Sequence, residues 1–352
     1  MKRGALIGYG FIGEQGHARG YTQSKDLGID AVVDTHPARR EKAAQALPGA
    51  AIFDSAESFF ESDLSKRLAF VDICTPPSTH APLARAALER GLHVLCEKPI
   101  TTRAADADEL VALARKSGRV FYPSHNYTHA PVLKRVQGLL DEGALGDIHM
   151  ATLSTFRSTH ARGVPEWRPD WRREPEISGG GILMDHGSHT FYVAFAWMGA
   201  YPTKVSARML RSAHAPGGSA TDDDVACELT FPSGIVRCHL TWRAGNRKVI
   251  YTIHGSGGGL RVEDDKLELS LRFGTPGSYR WESKEESVAS HWMSASHEAW
   301  FASVFGDFAR AMRERDLVPE TARDAIACMR VIEACYRSAS EEGRAIAVDC
   351  SA

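Results

Sequence analysis

Two stretches of the sequence gather side chains able to move a proton. In Asp185-His186-Gly187-Ser188-His189, Asp185 and His189 stand four residues apart. On a helix they share a face, and a carboxylate that holds an imidazole in one tautomer is what a general base needs. The same spacing also fits an Asp near a helix N-terminus beside a buried, satisfied His. Asp185, His186 and His189 are metal-ligating types too, but on a helix His186 projects about 100° away from Asp185, so no metal is expected. The second stretch is Glu97-Lys98-Pro99. A Lys that follows a strand is usually a surface residue. Here the X–Pro bond can be cis and fix the direction of Lys98. An ammonium aimed at a reacting oxygen would stabilise alkoxide charge.

A third motif points to a dinucleotide. Gly8-Tyr9-Gly10-Phe11-Ile12-Gly13 follows an apolar run and opens a helical one. Gly8 permits a tight turn, Gly10 a close approach to a pyrophosphate, and Gly13 close helix–strand packing. The helix N-terminus adds N–H groups and a positive dipole. Asp34 closes the second strand 21 residues after Gly13, the spacing that puts a carboxylate on the adenosine ribose. Asp34 repels a 2′-phosphate, so NAD is expected, with NADP possible through Arg39 or Arg40. Those two arginines read more simply as solvated charges on the next helix. Cys74-Thr75-Pro76-Pro77-Ser78-Thr79-His80 ends another strand at the same edge. Its Thr75, Pro76 and His80 are candidate cofactor contacts, and Ser78 or Thr79 can cap the helix that follows.

The elements that must hold these residues are legible in the periodicity. Ala5–Ile7, Ile29–Val33, Phe70–Cys74, His93–Cys96 and Val120–Tyr122 read as strands. Helical runs lie between them, from Gly13 and over Pro37–Leu47, Thr79–Arg90 and Arg103–Lys116. Repeated βα units with continuous apolar strands imply an α/β fold with a doubly wound parallel sheet. After about Asn126 the rhythm changes. Helices are expected over Val132–Glu142, Ile182–Met198, Glu298–Glu314 and Ala322–Glu342. Strands are expected over Ile148–Phe156, Asp224–Phe231, Ile235–Trp242 and Lys248–His254, in a largely antiparallel sheet with one partner-facing side. That gives two domains, 1–125 and 126–352. The later sheet should keep one apolar face uncovered, and hence form a homodimer or homotetramer. The glycines of His254–Gly259 read as a hairpin turn. Gly179-Gly180-Gly181 would let backbone approach a ligand. Arg157, His160, Trp167, Arg168, Trp171 and Arg172 crowd one polar segment, which suits a sugar face, an acidic substrate or a protein interface.

Composition excludes other classes. Of 352 residues, 43% are hydrophobic and 24% charged, as in ordinary globular chains. A formal net charge of −2 gives no electrostatic reason to bind nucleic acid or a membrane surface. No apolar run approaches the ~20 residues that span a bilayer. Seven cysteines without a CxxC pair argue against a disulfide framework and a zinc ribbon, and a reducing cytoplasmic compartment is expected.

Taken in order, these segments resemble the Gfo/Idh/MocA oxidoreductase family. The matching pieces are Gly8–Gly13, Asp34, Cys74–His80 with Ala86-Ala87 and Gly91, Glu97-Lys98-Pro99, and Gly143-Ala144-Leu145-Gly146. Further on come Gly179–Asp185, His189, and a tail in Val331-Ile332-Glu333-Ala334 and Ser338–Arg344. The resemblance implies a Rossmann domain followed by an α/β domain with an open sheet. It also implies a hydride-transfer site on Lys98, Asp185 and His189, with Glu97 and Lys98 near the cofactor. Two positions depart from the family's pattern: Thr128 stands where Arg is usual, in Asn126-Tyr127-Thr128-His129-Ala130-Pro131, and His186 where a small or apolar residue is usual. Both fall near the expected substrate pocket, whose candidates are Asn126, Arg157, Trp171, Arg172 and His186. The function expected is NAD-dependent oxidation of a secondary alcohol of a sugar, cyclitol or related polyol. His189 or Lys98 would accept the proton, and Asp185 would orient His189. The alternatives are an NAD-dependent redox-assisted glycosidase and a non-catalytic cofactor-binding regulator.

Overall fold

The computed structural model describes residues 1–211, 221–292, 294 and 296–351. The first sheet is built from β1 (Lys2–Ile7), β2 (Leu27–Val33), β3 (Ala51–Phe53), β4 (Phe70–Ile73), β5 (His93–Cys96) and β6 (Phe121–Pro123). Their order is β3-β2-β1-β4-β5-β6, and every pairing is parallel. The inner strands are buried on both faces, as their unbroken apolar runs require. The order reverses between β1 and β4, and that switch point opens a crevice at the carboxyl ends of the strands. The short edge strand β3 is only half-buried, so it lacks the apolar run that marks its neighbours.

The second sheet comprises β7 (Ile148–Phe156), β8 (Lys204–Leu210), β9 (Asp224–Phe231), β10 (Gly234–Thr241), β11 (Lys248–Gly255), β12 (Gly258–Glu263), β13 (Lys266–Phe273), β14 (Arg280–Ser287) and β15 (Ile346–Ala347). Its order is β14-β13-β12-β11-β7-β10-β9-β8-β15. All pairs are antiparallel except β7 with β10. The chain leaves the sheet after β7, runs through the helix Ile182–Met198, and comes back through the β8–β9–β10 meander. The helices Ile182–Met198 and Glu320–Ser340 pack on one face. The outward face is not the apolar surface expected. Thr152, Ser154, Glu228 and Arg237 alternate there with Met150 and Ile235.

The late helix Glu298–Glu314 does not stay with the second sheet. Its Phe301, Phe305 and Phe308 are fully buried in a cluster with Leu6, Tyr21, Phe70 and Tyr122 of the first layer. Tyr21 stacks on Phe305 at 4.0 Å. Packing therefore crosses the division read at residue 125. Among the described residues, no helix is long and apolar enough to cross a membrane.

Candidate active site

The crevice at the switch point is a cleft of about 1080 Å³. At one end lies the glycine turn. Gly8 has φ +94°, which favours glycine, and a Cβ on Gly13 would sit 2.3 Å from the Gly8 carbonyl oxygen. A Cβ on Gly10 would meet nothing within 4 Å, so this stretch of backbone faces open space. Gly8, Gly10, Phe11 and Ile12 line the cleft. The helix behind them starts as a π-helix, Gly13–Ala18, and continues as Arg19–Gln23. Asp34 accepts from the Tyr9 N–H through Oδ2 and from the His36 N–H through Oδ1, both at 2.8 Å. Each oxygen keeps a lone pair for a ribose hydroxyl. Arg39 is not the solvated charge expected. It is buried, donates to the Tyr9 carbonyl at 2.7 Å, and is paired with Glu14. Arg40 donates to the Asp34 and Thr35 carbonyls. Both guanidiniums are engaged, which leaves Asp34 to set the character of this end. The turn and its carboxylate fit an NAD adenosine and pyrophosphate.

Thr75 and Pro76 line the cleft as expected, but His80 does not. Its ring is buried, with both nitrogens 2.7 Å from carbonyl oxygens of Thr75 and Pro99. It ties the loop after β4 to the loop after β5. Thr79 is the residue before the helix His80–Glu89, yet its hydroxyl donates to Pro76 O, lies 2.7 Å from Thr75 Oγ1 and caps nothing.

Lys98 follows β5 across a cis peptide to Pro99. Its Nζ donates to the Asp185 carbonyl at 2.8 Å and to Asp185 Oδ1 at 3.3 Å. Arg172 Nε donates to the same Oδ1 at 3.3 Å. Burial alone would raise the Asp185 carboxyl, but the charges of Lys98 and Arg172 reverse this and hold it well below its usual range. The expected Asp185–His189 hydrogen bond is absent, because the two cations take that carboxylate. His189 instead places Nδ1 2.7 Å from the Tyr192 hydroxyl and stacks on Tyr127 at 3.8 Å. Its Nε2 has no hydrogen-bond partner among the described residues. Burial, and next the Lys98 charge, hold His189 well below 6.5, so its imidazole is neutral at neutral pH. Burial likewise takes His186 down to about 3.

Residues 2–125 match the family described as "Oxidoreductase family, NAD-binding Rossmann fold", and residues 137–348 match its "C-terminal alpha/beta domain". The chain belongs to the Gfo/Idh/MocA oxidoreductase family. The uncharacterized oxidoreductase YdgJ of Escherichia coli (strain K12) is 32% identical over 77% of this chain and 75% of its own length. Inositol 2-dehydrogenase of Rhizobium meliloti (strain 1021) is 26% identical over 97% of both chains. The structure "Levoglucosan dehydrogenase, complex with NADH and L-sorbose" superposes with a TM-score of 0.85 over all of both chains at 21% identity. That last likeness bears on the fold.

The site of this oxidoreductase also rests on residues the sequence reading missed. His17 is fully buried between two carboxylates, with Nδ1 2.6 Å from Asp72 and Nε2 2.9 Å from Glu97. Burial alone would lower His17, but Asp72 and then Glu97 lift it to about 9. Glu97 Oε2 in turn accepts from the Lys98 N–H at 3.2 Å. The available signal was an Asp inside the apolar β4 run, a buried charge that demands a partner. His17, Asp72 and Cys74 also hold donor atoms within 4.8 Å of one another, the geometry of a hydrogen-bonded cluster around the imidazolium. Asp222 is the second omission. Its carboxylate accepts from the Gly181 and Leu183 N–H groups and caps the helix that carries Asp185 and His189. The glycine run serves this docking. A Cβ on Gly181 would fall 1.9 Å from the Asp222 carbonyl oxygen, and one on Gly180 2.1 Å from the Tyr336 hydroxyl. Asn126, Arg157, Trp171, Arg172 and His186 all line the cleft. The Asn126 Oδ1 is buried without a partner.

Proposed function

We propose that this oxidoreductase is an NAD-dependent dehydrogenase that oxidises a secondary alcohol of a sugar, cyclitol or related polyol. What carries this reading is the meeting of Lys98, Asp185 and His189 on the wall of a cleft that begins at the glycine turn. The turn, Asp34, Thr75 and Pro76 would hold the cofactor, which when bound supplies the hydride acceptor. In the tautomer whose Nδ1–H donates to the Tyr192 hydroxyl oxygen, His189 Nε2 keeps its lone pair and accepts the alcohol proton. Lys98 donates to the reacting oxygen and stabilises charge as it develops. Asp185 acts through Lys98 and Arg172, fixing the ammonium at the site rather than orienting His189. The named relatives that oxidise inositol and levoglucosan support the substrate class.

The test is turnover of a polyol and sugar panel with NAD and NADP, followed at 340 nm. Oxidation of a member with NAD preferred over NADP is expected, and Asp34→Ala should narrow the preference. No hydride transfer across the panel overturns the reading. We place the domain division at 1–125 and 126–352, with the Glu298–Glu314 helix returning to the first. A homodimer or homotetramer remains our reading from the family resemblance, although the open sheet's outward face is mixed and not apolar, and the seven free, buried cysteines suit a reducing, cytoplasmic compartment. Light scattering that gives a 38.5 kDa particle at micromolar concentration would refute the assembly.

A further inference from the structure

Charge in the cleft does not balance at the substrate end. The carboxylates on its wall are committed elsewhere. Asp34 serves the glycine turn, Glu97 faces His17, and Asp185 is shared by Lys98 and Arg172. Glu57 and Glu61 sit on the helix after β3, at the outer edge of the first sheet. Against these stand two further guanidiniums. Arg157, at the end of β7, is 9% exposed, yet its NH1 donates only to the neutral carbonyls of Phe156 and Lys248. Among the described residues it has no carboxylate partner. Arg247, exposed on the same wall, has no carboxylate ion pair among the described residues either; partial burial and then the neighbouring Arg157 charge lower its pKa, against a weaker pull from Asp264. Beside them His297 presents a buried Nδ1 with no partner.

A guanidinium this buried is costly unless an anion joins it. Tyr127 fixes where that anion would lie. Its ring stacks on His189, and after burial the strongest influence on its hydroxyl is the Arg157 charge. The cationic pair therefore stands one phenol ring from the proton-accepting imidazole. The pyrophosphate is excluded as the partner, since its place is the glycine turn at the other end of the cleft.

We propose that the substrate is a sugar acid, an aldonate or uronate whose carboxylate is held by Arg157 and Arg247 while its secondary alcohol meets Lys98 and His189. The planar fork of Arg157 matches a carboxylate, and Trp171, with Arg172 4.2 Å above its ring, offers a flat surface for the carbon skeleton. This rests on the dehydrogenase reading above and narrows its substrate.

The experiment compares kcat/KM for gluconate and glucuronate with glucose and myo-inositol, using NAD. Titration calorimetry of the same four compounds into NADH-loaded protein runs in parallel. An acid should exceed the neutral compounds by about 10- to 100-fold, as expected of a charge-assisted pair. Arg157→Met and the more exposed Arg247→Met should each shrink the acid-to-neutral ratio, chiefly through KM. The advantage should also fall with added salt. Neutral compounds turned over as well as the acids overturn the proposal and leave the dehydrogenase reading standing. Tight acid binding without hydride transfer to NAD supports the anion site and overturns the dehydrogenase reading. A sugar phosphate preferred over every carboxylate overturns the assignment to sugar acids.

Discussion

In the proposed reaction His189 would accept the alcohol proton on a ring held neutral by its own burial and by Lys98. A base of this kind is lost as pH falls through its pKa, and here that value lies well below 6.5. The pH profile of kcat/KM for oxidation should therefore show no His limb near 6.5, and its acid limb should lie lower. In Lys98→Met the opposing charge is gone, and an imidazole NMR titration should find His189 moved up. Loss of either side chain should lower kcat by about 10²–10⁴-fold with NADH affinity retained. Normal turnover in His189→Ala would pass the proton to Lys98. His17 gives a stability test. Its folded value of about 9 lies above the unfolded 6.5, so its contribution is complete below pH 6.5 and fades as pH rises through 9. That contribution is on the order of 3 kcal/mol. The urea midpoint of wild type should fall over this window, and that of His17→Gln should change less. A flat wild-type profile would refute the charged imidazole. That Lys98, Asp185 and His189 share a cleft wall was legible because each sits at a position marked by its neighbours in sequence. The partner of Asp185 was not. Four-residue spacing only permits a contact, and cations from two distant segments won the carboxylate.

Among elements, the helix Ile182–Met198 shows how positioning is achieved. Its first N–H groups are satisfied by Asp222, some 40 residues later, at the price of a glycine at 181. Gly181→Ala should destabilise by about 1–3 kcal/mol, since the obstacle is backbone and cannot swing away. Asp222→Asn should cost about 1 kcal/mol as a weakened cap and should misplace His189. Denaturant midpoints and kcat together check both, and native stability in Gly181→Ala would show the junction to be loose. The helix itself was plain in the sequence, as were the inner strands of the first sheet and β7, β9, β10 and β11 of the second. β14 was not, because an edge strand with exposed residues on both faces has no period of two. The parallel β7–β10 pair was equally hidden, since local patterning records alternation and not which neighbour arrives from afar.

For the whole molecule, the two-layer plan follows from the change of rhythm near Asn126, and the family's profiles meet close to it. What the pattern could not tell is that the boundary is crossed later. An amphipathic helix declares that it has a buried face but not what buries it. That crossing has a consequence in time. The face of the first sheet that bears Phe70 and Tyr122, with Tyr21 of the helix Arg19–Gln23 beside it, waits for Phe301, Phe305 and Phe308. During synthesis, roughly 10–35 s separate residue 125 from residue 300 at ordinary elongation rates. For that interval the nascent nucleotide-binding layer emerges with an aromatic patch bare to solvent. A released fragment 1–125 should bind the dye ANS and aggregate, and a synthetic peptide of residues 298–314 should suppress both. A fragment that stays monomeric and dye-silent would mean the layer can close on itself. Otherwise this protein finishes its first domain only with nearly its last helix, and a ribosome-bound chaperone has a defined stretch of aromatic surface to shelter until then.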